Sequence, residues 1–321
     1  MKTLDELMQH LRDNGVAISD EQRQMLKNLG YYHGYKGYRF AGTAKNRLPL
    51  TEFTQVTALN DCDMALKTLI YPRIIFVETA LKNYTLEAVL ADAGSESIEQ
   101  VYMQSLTFYR SLKGTRDYKS ALLRRMRLKN EIDALLAQRY KNSVPVIQHF
   151  LNEDKDVPIW ALFEVMTLGT FGMFYQCLAP RLKASIVGDL NLPSNYDSAA
   201  ILGSSIFALK DLRNAIAHNG VVMDVRFKQA KVGLDIGRLI SGDARIRGVN
   251  FKEITDYVIL LVYLMTKMQV SQSERLSFLN GYVALLDTYQ RQLPQPIFSR
   301  FVHSQARQKL QEARMFIAEH S

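Results

Sequence analysis

The chain has 321 residues, 47% apolar and 22% charged, a globular composition with length for one large or two ordinary domains. Its formal charge of +8 fits either a solvated basic surface or an electrostatic footprint for nucleic acid, and charge alone does not separate the two. Cys62 and Cys177 stand far apart with no Cys-x-x-Cys, which excludes a disulfide scaffold and a cysteine zinc site and points to a reducing compartment.

The N-terminus opens on charged residues without an apolar signal core. The longest apolar run, residues 257–265, falls far short of the ~20 residues that span a bilayer. A cytoplasmic protein with no membrane partner is expected. Glycine and proline are sparse, at 17 and 8, which favours long helices.

In chain order, residues 3–29 predict two short amphipathic helices around a turn at Asp13-Asn14-Gly15, the second opened by Ser19 and Gln22 and stopped at Gly30. Residues 31–40 mix tyrosines, glycines and basic side chains. Tyr31, Tyr32 and Tyr35 suit either base stacking on RNA or the anchoring of a packed loop. Residues 50–91 read as a helical hairpin or one broken helix, which Pro72 kinks or restarts. Glu78 and Lys82 are one turn apart there. Residues 98–112 predict another helix. Residues 115–141 predict a basic one, with Arg124, Arg125 and Arg127 on either a solvated or a phosphate-binding face.

A helix opened by Pro158 and Trp160 is expected to break at Gly169-Thr170-Phe171-Gly172 and resume to residue 178. Residues 197–218 predict the helix that ends in Arg213-Asn214-Ala215-Ile216-Ala217-His218-Asn219-Gly220. Residues 241–249 read as an exposed loop with a basic tip. Three more helices are expected over 251–268, 271–293 and 298–319. No strand pattern stands out, and the fold class is all-α.

No phosphate-binding glycine loop, dinucleotide fingerprint, nucleophile elbow or His-Glu-x-x-His is present, and the six histidines are scattered, so neither a metal nor another cofactor is expected. What stands out is Arg213-x4-His218. An arginine and a histidine can supply electrostatic and acid–base chemistry to a phosphodiester without a metal. Asn214 and His218 share a helix face, Arg213 lies about 140° round from His218, and Asn219-Gly220 is a good helix stop. A second copy of the helix would close that angle.

Arg213-Asn214-x3-His218 resembles the signature of HEPN-domain ribonucleases, and the wider chain resembles the Abi-like (AbiD/AbiF) abortive-infection family. Four blocks carry the likeness, in the expected order. They are residues 15–35 with Gly30-Tyr31-Tyr32-His33, residues 76–83 with Glu78-x3-Lys82, residues 157–175 with Pro158-Ile159-Trp160, Glu164 and Phe171-Gly172, and residues 209–218. Two positions depart from the pattern: Asn219 stands where a second histidine is common, and His33 where arginine is favoured.

The resemblance implies an HEPN-like helical bundle, with an N-terminal arm (1–48), a core (49–240) and a C-terminal helical extension (241–321). It implies a metal-independent endoribonuclease toxin that leaves 2′,3′-cyclic phosphate and 5′-OH ends, with Arg213, Asn214 and His218 catalytic. Glu78, Lys82 and Asn83 would support them from a neighbouring helix. A homodimer and a non-coding RNA regulator are expected from the same likeness. The competing readings are a non-catalytic RNA-binding protein of the same fold and a helical interaction protein whose motif is only a capped helix end.

Overall fold

A computed structural model describes residues 3–228 and 233–320. Every regular element among them is helical, with isolated bridges such as Ala17 to Glu52 and no strand. None of these helices is long and apolar enough to cross a membrane. The all-α expectation holds.

The helices are α1 (Leu4–Asp13), α2 (Arg23–Tyr31), α3 (Phe53–Ala93), α4 (Ile98–Gln104), α5 (Phe108–Ser111), α6 (Tyr118–Lys141), α7 (Pro145–Asn152) and α8 (Ile159–Val165). They continue with α9 (Leu168–Cys177), α10 (Pro180–Asp189), α11 (Ser198–Ala217), α12 (Leu234–Asp243), α13 (Ile254–Lys267), α14 (Gln272–Gln292), α15 (Gln295–Phe298) and α16 (Ala306–Glu319). Two compact units form: residues 1–74 with 211–321, and residues 75–210. Helices α3 and α11 each contribute to both.

In the first unit, α13 packs against α14 and α16. Every residue from Ile254 to Thr266 is buried, as an all-round apolar helix requires. Asp256 on this helix is bonded at both oxygens, whereas the buried Tyr257 hydroxyl has no hydrogen-bond partner among the described residues. Lys309 Nζ lies 2.7 Å from both Glu253 Oε1 and Asp256 Oδ1, and Asp256 Oδ2 accepts the Asn250 and Phe251 N–H groups. These bonds fold residues 244–253 back onto α13. The stretch expected to be an exposed loop therefore begins as the end of α12 and buries Ala244, Ile246 and Val249, while Gly242, Arg245, Arg247 and Gly248 face outward.

In the second unit, α6 packs on α5, α7, α8 and α9. The helix break expected at Gly169–Gly172 falls earlier, at Met166-Thr167. Thr167 caps α9 by accepting the Thr170 N–H at 3.1 Å, and α9 runs through both glycines. Gly172 is there for space: a Cβ at this position would stand 2.8 Å from the Phe207 ring.

Three other expectations are corrected. Residues 98–112 form two short helices, α4 and α5, separated at residues 105–107. Residues 298–319 give α16 only from Ala306. Residues 50–91 form neither a hairpin nor two helices, because α3 continues through Pro72. Pro72 and Thr68, whose carbonyl loses its helical donor to the proline, are both exposed, so water can take the donor's place.

Candidate active site

Helix α11 closes with a Schellman arrangement. Asn219 has a φ of +53°. Its N–H donates to the Ile216 carbonyl at 3.0 Å, and the Gly220 N–H donates to the Ala215 carbonyl at 2.7 Å. Two carbonyls that a helix end otherwise leaves open are thereby bonded. Leu212 is fully buried and fixes the inward face of the last turns. Asn214 and His218, one turn apart, are both exposed. Arg213 is half-buried, with Nη1 3.4 Å from Asn214 Oδ1.

Behind this turn lies a polar chain that starts buried on α3, at Asp63 and Lys67, and ends at the exposed Asn219 and the half-buried His33. Asp63 is completely buried, and its Oδ1 accepts the Val222 and Met223 N–H groups at 2.8 and 3.0 Å. Its Oδ2 is 2.7 Å from Lys67 Nζ, one turn along the helix. The same ammonium donates to Asn219 Oδ1 at 2.7 Å. Asn219 Nδ2 in turn stands 3.2 Å from His33 Nε2. Burial, then the Lys67 ammonium, hold the His33 imidazole below its usual pKa, with Asp63 opposing them. Burial first, and Asp63 second, push the Tyr38 phenol above its usual range.

His33 sits in a π-helical turn, Tyr32–Lys36, that follows the backbone break at Gly30. Such wide turns are frequent at functional sites. Gly37 closes it: a Cβ there would meet the Tyr32 carbonyl at 3.0 Å and Val221 at 3.3 Å. Farther along, Arg226 Nη2 donates to the Phe40 carbonyl at 2.6 Å, and Asp224 Oδ2 accepts the Gly42 N–H at 2.8 Å. The aromatic segment thus lies along the chain that leaves the motif helix, linked to it from His33 to Gly42.

Of the three tyrosines, Tyr35 is buried and Tyr31 is half-buried with its hydroxyl 3.2 Å from His10 Nε2. Only Tyr32 presents a large free surface, with 46% of its area exposed, edge-on to His33. Glu78, Lys82 and Asn83 belong to the 75–210 unit. Glu78 and Lys82 pair at 3.0 Å, and Lys82 also donates to the Met166 carbonyl at 2.6 Å, while Asn83 is exposed. On α6, Arg127 is exposed and Arg124 half-buried. Arg125 turns inward: it donates to the Leu106 and Tyr102 carbonyls at 2.8 Å each, with its guanidinium over the Tyr102 ring.

Four residues around the turn escaped the sequence reading as site residues: Asp63, Lys67, His33 and Asn219. The Asp63-x3-Lys67 spacing, identical to Glu78-x3-Lys82 on the same helix, was the available signal. Among the described residues, no group of three or more His, Cys, Asp or Glu side chains stands together as a metal site would require. The family profile described as Abi-like protein matches residues 24–224, more than half of the chain. Comparison with curated proteins and with solved structures gave no match.

Proposed function

The chain belongs to the Abi-like protein family, and from that premise we propose that it is a metal-independent HEPN endoribonuclease that acts as a toxin in abortive infection. The observation that carries the reading is the end of α11: His218 and Asn214 exposed on one face, Arg213 beside them, and the turn locked from behind.

The substrate is RNA. His218 takes the proton of a ribose 2′-OH as O2′ attacks phosphorus, and a protonated imidazole supplies the proton that leaves with O5′. The O2′–P bond forms and the P–O5′ bond breaks, giving a 2′,3′-cyclic phosphate and a 5′-OH. Arg213 stabilises the charge that gathers on the phosphoryl oxygens, and Asn214 orients the phosphate. The angle of about 140° between Arg213 and His218 favours a homodimer in which one copy's arginine serves the other's histidine. Tyr32 extends the RNA contact at the turn, and the sequence and the family resemblance assign further RNA-binding or supporting roles to Arg124, Arg127, Glu78, Lys82 and Asn83. A non-coding RNA regulator and a cytoplasmic location belong to the same reading.

The test is incubation of labelled RNA with the wild type and with an Arg213→Ala/His218→Ala double variant in EDTA, followed by mapping of the ends. Cyclic phosphate ends from the wild type alone are expected. Equal cleavage by the double variant overturns the assignment. One observation favours a second reading, non-catalytic RNA binding: the exposed cations Arg116, Lys119 and Arg127 on or just before α6. Salt-sensitive RNA binding without cleavage, unchanged by Arg213→Ala, would select it.

A further inference from the structure

The chain Asp63, Lys67, Asn219, His33 has a direction that its chemistry fixes. Lys67 carries only donors, so the Asn219 atom that meets it at 2.7 Å is the carbonyl oxygen. The other half of that amide, the NH2 group, therefore faces His33 Nε2 at 3.2 Å. An NH2 group has only hydrogens to offer there. His33 Nε2 must be the acceptor, and its ring proton must sit on Nδ1. Asp63 anchors the other end, since its carboxylate accepts from Lys67 and from two N–H groups just past the motif turn.

We infer that Asp63, Lys67, Asn219 and His33 form a one-way hydrogen-bond relay that positions the His218 turn and holds His33 as the neutral, Nδ1-protonated tautomer. All four are positioning residues. Their effect on the reaction rests on the ribonuclease reading, whereas the tautomer does not.

Three further features fit. Asn219 immediately follows His218, and its left-handed backbone is the cap that ends α11, so holding its side chain holds the histidine's backbone. His33 Nδ1, a buried atom, has no hydrogen-bond partner among the described residues, so no group at that end of the ring competes with Asn219 in setting the tautomer. Burial and the Lys67 ammonium favour the neutral ring that the relay requires.

The experiment uses the full chain with 15N-labelled histidine and long-range proton–nitrogen correlation, His33 being assigned by loss of its signals in His33→Gln. The wild type should show His33 protonated on Nδ1. Asn219→Asp keeps a short polar residue that tolerates the left-handed region but offers only acceptors, so it should move the proton to Nε2. Asn219→Gly keeps the turn and removes the relay; it should lower kcat for RNA cleavage by about 10²-fold with KM within about twofold, the loss expected when a catalytic group is misplaced by about 1 Å. Each of the three variants keeps both members of the buried Asp63–Lys67 pair and the exposed end of α11, so all should fold. An Nε2-protonated His33 in the wild type, or a tautomer unmoved in Asn219→Asp, overturns the relay. Unchanged kcat in Asn219→Gly overturns its role in positioning. A wild type that cleaves no RNA defeats the ribonuclease reading, and the tautomer then decides the relay by itself.

Discussion

Lys67 and Asn219 lie 152 positions apart in sequence, and their side chains meet at 2.7 Å. The contact ties the first half of α3 to the residue that ends α11. It also gives the Lys67 ammonium a second partner besides Asp63, which matters because both members of that pair are almost wholly buried.

Lys67→Met removes the cation and leaves Asp63 as an uncompensated buried carboxylate. The expected cost is about 3–5 kcal/mol, the range for breaking one side of a buried ion pair. Denaturant titration measures it. The double replacement Asp63→Leu/Lys67→Met should recover part of the loss, less what the unbonded Val222 and Met223 N–H groups cost. A Lys67→Met midpoint equal to the wild type's would show that the pair contributes nothing.

Stability should depend on pH through His33. The folded chain holds this imidazole below its ordinary pKa of ~6.5, burial being the main cause and Lys67 the second. Between the folded and unfolded values the unfolded chain binds more protons, so stability rises with pH through that window and is lost as pH falls below ~6.5. His33→Gln, which still accepts from Asn219, should flatten this slope. Urea midpoints for both proteins between about pH 5 and pH 7 provide the comparison, and parallel slopes would refute it.

Gly172→Ala sets a methyl 2.8 Å from the Phe207 ring in the interior of the 75–210 unit. Overpacking of this kind costs about 1–3 kcal/mol. Adding Phe207→Leu should restore part of it, and the melting temperatures of the single and double variants show whether the cause is the ring.

On α6, neighbouring arginines should behave differently. Arg125→Ala leaves the Leu106 and Tyr102 carbonyls without their donor and should lower stability by about 1–3 kcal/mol while leaving the salt dependence of RNA binding intact. Arg127→Ala, at an exposed position, should leave stability unchanged and reduce the salt slope by about 0.7 if it meets a phosphate of single-stranded RNA. Equal slopes for the wild type and Arg127→Ala would remove that residue from the interface.

Much of this architecture was legible in the residues. Asn219-Gly220 announced the end of α11 because few residues accept a left-handed backbone, and the Schellman bonds are there. The apolar run at 257–265 lies in a helix buried on every side. What misled was glycine in α9: Gly169 and Gly172 look like a break, yet neighbours decide their use, and Phe207 is 35 positions from Gly172. The relay was harder still. An Asp-x3-Lys pair reads the same on a solvated face or in a core, and only the fold puts Asp63 under Val222 and Met223. Asn219 and His33, the two departures from the family pattern, looked unrelated in sequence and are hydrogen-bonded partners in space.

The order in which the chain is made has a consequence for the unit built from both chain ends. Asp63 and Lys67 are synthesised early, but their partners Asn219, Val222 and Met223 come some 150 residues later. At ribosomal speeds of about 5–20 residues per second, they wait roughly 8–30 s for those partners. The grip on the motif turn therefore closes only after most of the polypeptide has left the exit tunnel, and a prematurely terminated chain ending before residue 219 never acquires it.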